Sequence, residues 1–139
     1  MRRTIIACLL LSLVPGCNRA ERRSLTQFLD AVAASIGHRY DDQLQGIANP
    51  ERNVRFRVLF ARDQLAAVDA YLATQPPIGA AARQAVDGYR AAKAGELELY
   101  EKLLAEKRYE PSETEKRRDA ELLNEAQRRL DAIGRIVDG

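Results

Sequence analysis

The sequence predicts an all-α protein, an antiparallel up-down-up-down four-helix bundle over residues 24–139. Three observations predict it. Apolar residues recur every three or four positions throughout, and no stretch alternates as a half-buried strand does. The periodic segments are separated by short breaks marked by proline, at Asn49-Pro50, Pro76-Pro77 and Pro111. Connections of only a few residues set consecutive helices side by side and antiparallel.

The first helix is expected from about Glu21 to Ile47. Its stripe is Leu25, Phe28, Leu29, Val32, Ile36, Leu44 and Ile47, with Gly37 weakening the middle. Asn49-Pro50 opens the second helix, because proline at the first helical position gives up an N–H that has no intrahelical partner there. That helix runs to about Thr74, and Val54, Val58, Ala61, Leu65, Val68 and Leu72 step by 4, 3, 4, 3, 4. The third helix is expected from about Gly79 to Tyr109, with Ala85, Val86, Ala92, Leu97, Leu99, Leu103 and Leu104 as its apolar positions. Pro111 ends it. Ser112-Glu113-Thr114-Glu115 has the spacing of a capping box and opens the fourth helix. There Leu123, Ala126, Leu130, Ile133 and Val137 oppose Arg117, Glu121, Asn124, Arg128 and Arg135.

Composition excludes several function classes. The 139 residues are 46% hydrophobic and 30% charged, which suits one globular domain. Apart from Arg2 and Arg3, basic and acidic residues number 20 each, so the domain lacks the excess cation that phosphate neutralisation needs. No nucleic-acid partner is expected. Cys8 and Cys17 are the only cysteines and His38 the only histidine. The bundle therefore holds no disulfide, no cysteine nucleophile and no site built on two imidazoles. No nucleophile motif, phosphate loop or metal spacing occurs. The chain is not read as an enzyme, and no metal or cofactor is expected.

The N-terminus carries the most specific signal. Met-Arg-Arg-Thr is a short positive region, and residues 5–14 are an apolar stretch of ten. Ten helical residues span about 15 Å, half a bilayer core, so this is a signal peptide and not a membrane anchor. It ends in Val14-Pro15-Gly16-Cys17. This resembles the lipobox of bacterial lipoproteins: a branched apolar residue, a variable one, a small one, then cysteine. Pro15 is an unusual occupant of the variable position. The resemblance implies cleavage after residue 16, lipidation of Cys17, and a short tether over residues 17–23. Such an anchor exceeds the two acyl chains that stable membrane attachment requires. Asn18, where a retention signal would be aspartate, implies the periplasmic face of the outer membrane. Arg19, Arg22 and Arg23 follow at once. Each is worth about 1 kcal/mol against anionic headgroups, or they form a solvated first turn.

Four groups of residues stand out in the bundle. Phe56, Phe60, Ala67 and Tyr71 form a second apolar strip on the second helix, about 120° from the main seam, with Arg57 and Gln64 between. The strip is either buried between two neighbouring helices or exposed as a groove for an apolar partner segment. Arg52, Arg55 and Arg62 line one side of the same helix as a solvated face or as the rim of that groove. On the third helix, Tyr89, Lys93, Glu96 and Tyr100 interrupt the apolar face at spacings that let Lys93 and Glu96 pair. They are read either as a polar ligand pocket or as a rotated helix whose Lys93 reaches solvent. His38, with Asp41 and Asp42, is read as a surface ion pair.

The leading expectation is a membrane-anchored protein-interaction module of the cell envelope, with the second helix supplying apolar anchors and its arginines the rim. In size and architecture the chain is similar to the helical pilotin lipoproteins, without the disulfide those proteins often carry. That likeness implies an accessory role in envelope assembly. Two alternatives stand beside it. One is an immunity or inhibitor lipoprotein against a periplasmic toxin or hydrolase. The other is a small-molecule or lipid binder using the bundle interior.

Overall fold

The computed structural model describes the backbone of residues 2–139 and the side chains of residues 19–39 and 41–139. It is all-helical, and the described residues contain no strand. Among the described residues five helices follow one another: α1 (Arg2–His38), α2 (Tyr40–Gly46), α3 (Pro50–Ala73), α4 (Ala80–Ala105) and α5 (Glu113–Asp138). α1 packs on α3 and α5, and α4 packs on α3 and α5, so these four close a ring. α2 lies against α3.

The one continuous helix expected over Glu21–Ile47 is instead two. Helical bonding stops at Arg39, whose N–H reaches only Ile36 O at 3.2 Å. The Arg39 guanidinium is drawn to Asp63 of α3 at 2.6 Å and to Asp42 at 3.1 Å, which turns α2 onto α3. Gly46 then lies so close to the Asn53 backbone that a Cβ would stand 3.1 Å from its Cα. These contacts join residues far apart in sequence, so helical periodicity cannot register them. The bend also divides the first stripe. Leu25, Phe28 and Val32 are buried, whereas Ile36, Leu44 and Ile47 are exposed.

The other boundaries follow from capping. The Asn49 side chain accepts from Arg52 N at 3.1 Å, and Pro50 opens α3. α3 ends with Gln75 at φ 51°, its N–H on Leu72 O. Pro76 follows and has no N–H with which to continue. α4 ends at Ala105, four residues before the expected Tyr109. Lys107 takes φ 54°, its N–H bonds Leu104 O, and Arg108 N–H bonds Leu103 O, the paired closure of a Schellman motif. No glycine marks this stop, so the sequence hides it. The capping box of α5 is present in both directions, Glu115 N to Ser112 Oγ at 3.2 Å and Ser112 N to Glu115 Oε1 at 2.9 Å. α5 is turned slightly from the expected stripe: Leu122, Ala126 and Ile133 are buried, and Leu123 is exposed.

Two apolar cores result. The larger holds Leu25, Phe28 and Val32 of α1 with Val68, Tyr71, Val86, Tyr89, Ala126 and Ile133. Phe28 packs between Tyr71 and Tyr89, its ring 5.1 Å and 5.8 Å from theirs. The smaller core holds Val54, Val58, Tyr100 and Leu103. Among the described residues every core residue lies at Leu25 or beyond, and Glu21 accepts from Gly79 N at 3.0 Å. The chain from Asn18 onward therefore contains both cores and the contacts that position them.

Candidate functional site

Between the two cores lies a charged layer. Arg57 of α3 is its centre. Its guanidinium donates to Glu96 of α4 at 2.8 Å and to Asp119 of α5 at 2.6 Å, tying three helices together. It also stacks on the Tyr100 ring, 4.3 Å from the centroid. Tyr100 donates to Asp119 at 2.9 Å, and Lys93 donates to Glu96 at 2.9 Å. Glu96 is 1% exposed and Lys93 5%, so neither charge is hydrated and each depends on the other.

The structure thus brings Tyr89, Lys93, Glu96 and Tyr100 into one buried neighbourhood. Lys93 does not reach solvent; its ammonium lies 5.4 Å from the Phe60 ring and 5.8 Å from the Tyr89 ring. Arg57 and Asp119 complete the group and were missed as members of it. Arg57 falls between two apolar strips and reads as a surface residue by periodicity, and Asp119 lies on a helix distant in sequence. The hydrogen bonds of Lys93, Glu96 and Tyr100 go to other members of the layer. The grooves between α2 and α3 and along α4 and α5 are lined by other side chains.

Burial pushes the Tyr89 phenol well above its ordinary value, and the nearby Glu96 carboxylate adds to this. Burial raises Tyr100 too; Arg57 opposes the rise and Asp119 adds to it. In the unfolded chain both ionise near pH 10, so above about pH 10 the folded state binds more protons than the unfolded state. Stability is therefore expected to fall as pH rises through and beyond that point. In an alkaline titration the phenolate absorbance of Tyr89 and Tyr100 should appear only together with loss of helical circular dichroism. Phenolates formed in a fully helical protein would contradict this burial.

On α3, Phe56 and Tyr71 are buried and Phe60 is half-buried. They do not form an exposed strip: Phe56 packs on Phe60, and Tyr71 hydrogen-bonds Ser24 at 2.8 Å. A helix with neighbours on two sides buries a broad arc, and α3 touches α1, α2 and α4. Arg52, Arg55 and Arg62 are exposed; they hydrogen-bond Gln45, Glu51 and Glu101 respectively. His38 is exposed, and Asp42 pairs with Arg39. No group of metal-ligating side chains occurs among the described residues.

Of the large exposed apolar side chains among the described residues, Leu123 lies on α5 and the other four lie on the bend or on α3. Ile36 ends α1, Leu44 and Ile47 flank the end of α2, and Leu59 lies on α3; Ile47 is 78% exposed. Beside them a groove of about 230 Å³ opens between α2 and α3, lined by Asp42, Gln45, Arg52, Arg55, Phe56 and Leu59. This region lies at the opposite end of α1 from Glu21 and Gly79. The side chain of Cys17 lies outside the described residues. No helix among the described residues is long and apolar enough to cross a membrane.

Comparison with protein-family models, curated proteins and solved structures finds no match to this chain.

Proposed function

We propose that this protein is a bacterial lipoprotein, held by Cys17 on the periplasmic face of the outer membrane, whose helical bundle docks another envelope protein in an assembly or pilotin-like accessory role. The exposed apolar side chains Ile36, Leu44, Ile47 and Leu59 carry the reading. Four large apolar side chains left exposed near one bend of a small domain suit an interaction surface. The groove beside it keeps Phe56 and Leu59 as its apolar floor and Arg52 and Arg55 as its cationic rim, which suits a partner segment with an apolar stripe and acidic flanks. The docking surface is thereby moved from the expected Phe56–Phe60–Tyr71 strip to the α2 elbow.

In this reading α1, α3, α4 and α5 form the up-down-up-down bundle, and α2 is an elbow added to its far end. The pairs Ser24–Tyr71 and Arg39–Asp63, Arg90–Asp69 and Arg57–Glu96, and Arg108–Glu115 and Tyr100–Asp119 support that course of the chain. The elbow then stands farthest from the lipid anchor, where a partner meets least obstruction.

A photo-crosslinking residue at Ile47 tests the docking surface in cells. One dominant adduct is expected, reduced at least about tenfold by Leu44→Asp, since a charge inside a desolvated apolar contact costs well over 1.4 kcal/mol. Crosslinks of equal yield from an exposed residue such as Arg135, or an adduct indifferent to Leu44→Asp, would reject the elbow. The partner's identity separates an assembly factor from a toxin or hydrolase held by an immunity lipoprotein.

A further inference from the structure

We propose that Arg19, Arg22 and Arg23 form a collar that binds the phosphate groups of an anionic lipid surface beside the anchor; this rests on the lipoprotein reading above. At about 100° per residue, Arg19 and Arg23 lie about 40° apart on α1 and Arg22 about 60° to their other side. Phe28, which enters the core, lies on the opposite face, and Leu25, also in the core, lies about 60° beyond Arg22. Arg19 and Arg23 are exposed and Arg22 is half-buried. Among the described residues no carboxylate forms an ion pair with any of the three, and residues 1–18 contain no acidic side chain. Arg39, Arg55, Arg62, Arg83 and Arg90, by contrast, each hold a carboxylate of this chain. Glu21, the one acid within the collar's span, is turned to Gly79 N at 3.0 Å.

The charge of the rest of the chain sharpens the point. Residues 24–139 carry 17 basic and 19 acidic side chains, whereas residues 18–23 carry three basic and one acidic, so the segment next to Cys17 is cationic and the remainder slightly anionic. An anionic surface attracts that end and repels the remainder, and the attraction falls off within a Debye length of the lipid. Six residues of helix rise about 9 Å, so Arg23 on α1 stands within about one Debye length of the anchor.

The chain from Asn18 onward, checked for helical circular dichroism, tests the collar without the anchor. It is sedimented with vesicles of phosphatidylcholine alone and of phosphatidylcholine mixed with phosphatidylglycerol, at low ionic strength. Binding to the mixed vesicles is expected to be at least about tenfold stronger. The preference should disappear at high salt and in Arg19→Gln/Arg22→Gln/Arg23→Gln with its helicity intact. Equal binding to both vesicles, or a preference that survives the triple substitution, would overturn the proposal. Acylation of Cys17 is read separately, from the mass of the full-length product made in cells. The collar and the anchor therefore fail in different measurements.

Discussion

Cys17→Ala is expected to abolish acylation of the protein completely. The mature wild-type chain should begin at Cys17, carry its acyl chains and remain with membranes after a high-salt wash. The variant should carry no acyl chain and keep residues 1–16, because in the lipoprotein class the thiol is acylated before the signal is cut. Mass spectrometry of the two products and incorporation of labelled palmitate decide the matter. A wild-type chain with a free Cys17 thiol, or one cut elsewhere, would end the lipoprotein reading. The effect is large because the alternatives for attachment are weak. The apolar run of residues 5–14 covers about half a bilayer core, and no helix among the described residues is built to span one. Arginines alone give salt-sensitive binding that the wash removes.

Glu96→Ala is expected to destabilise the bundle by about 3–5 kcal/mol, a large part of the roughly 5–15 kcal/mol available to a domain of this kind. Removing the carboxylate leaves the Lys93 ammonium 5% exposed with its ion-pair partner gone, and leaves Arg57 only Asp119. The cost is mainly that of a buried unpaired charge, which predicts a specific rescue. Lys93→Met/Glu96→Leu should recover most of the loss, since both charges leave together and Arg57 keeps Asp119. Denaturant midpoints of residues 18–139 measure both variants. A Glu96→Ala variant as stable as wild type would mean that Lys93 finds water. A double variant as weak as the single one would move the cost from charge to packing.

The all-helical class and most helix starts were decided by the sequence alone, because they depend on local chemistry. A proline after an N-cap, a Ser-x-x-Glu box and a 3-4 apolar rhythm act within a few residues, and Asn49, Pro50, Ser112 and Glu115 take the roles their spacing dictates. The polar face of α5 is exposed as its periodicity requires. What only the tertiary structure decided is where partners distant in sequence meet. Arg39 bends the first helix because Asp63 stands opposite it. Lys107 stops α4 without glycine because Arg108 then closes onto Leu103 and Glu115. Arg57, polar and flanked by apolar strips, is drawn inward because Glu96 and Asp119 arrive from two other helices. Periodicity reports which side of a helix is apolar. It does not report how many neighbours that helix has, and α3, touched on several sides, buries Phe56 and Tyr71 where an isolated amphipathic helix would expose them. Ile36, Leu44 and Ile47 are left exposed where the chain turns away from its own core, as are Leu59 on α3 and Leu123 on α5.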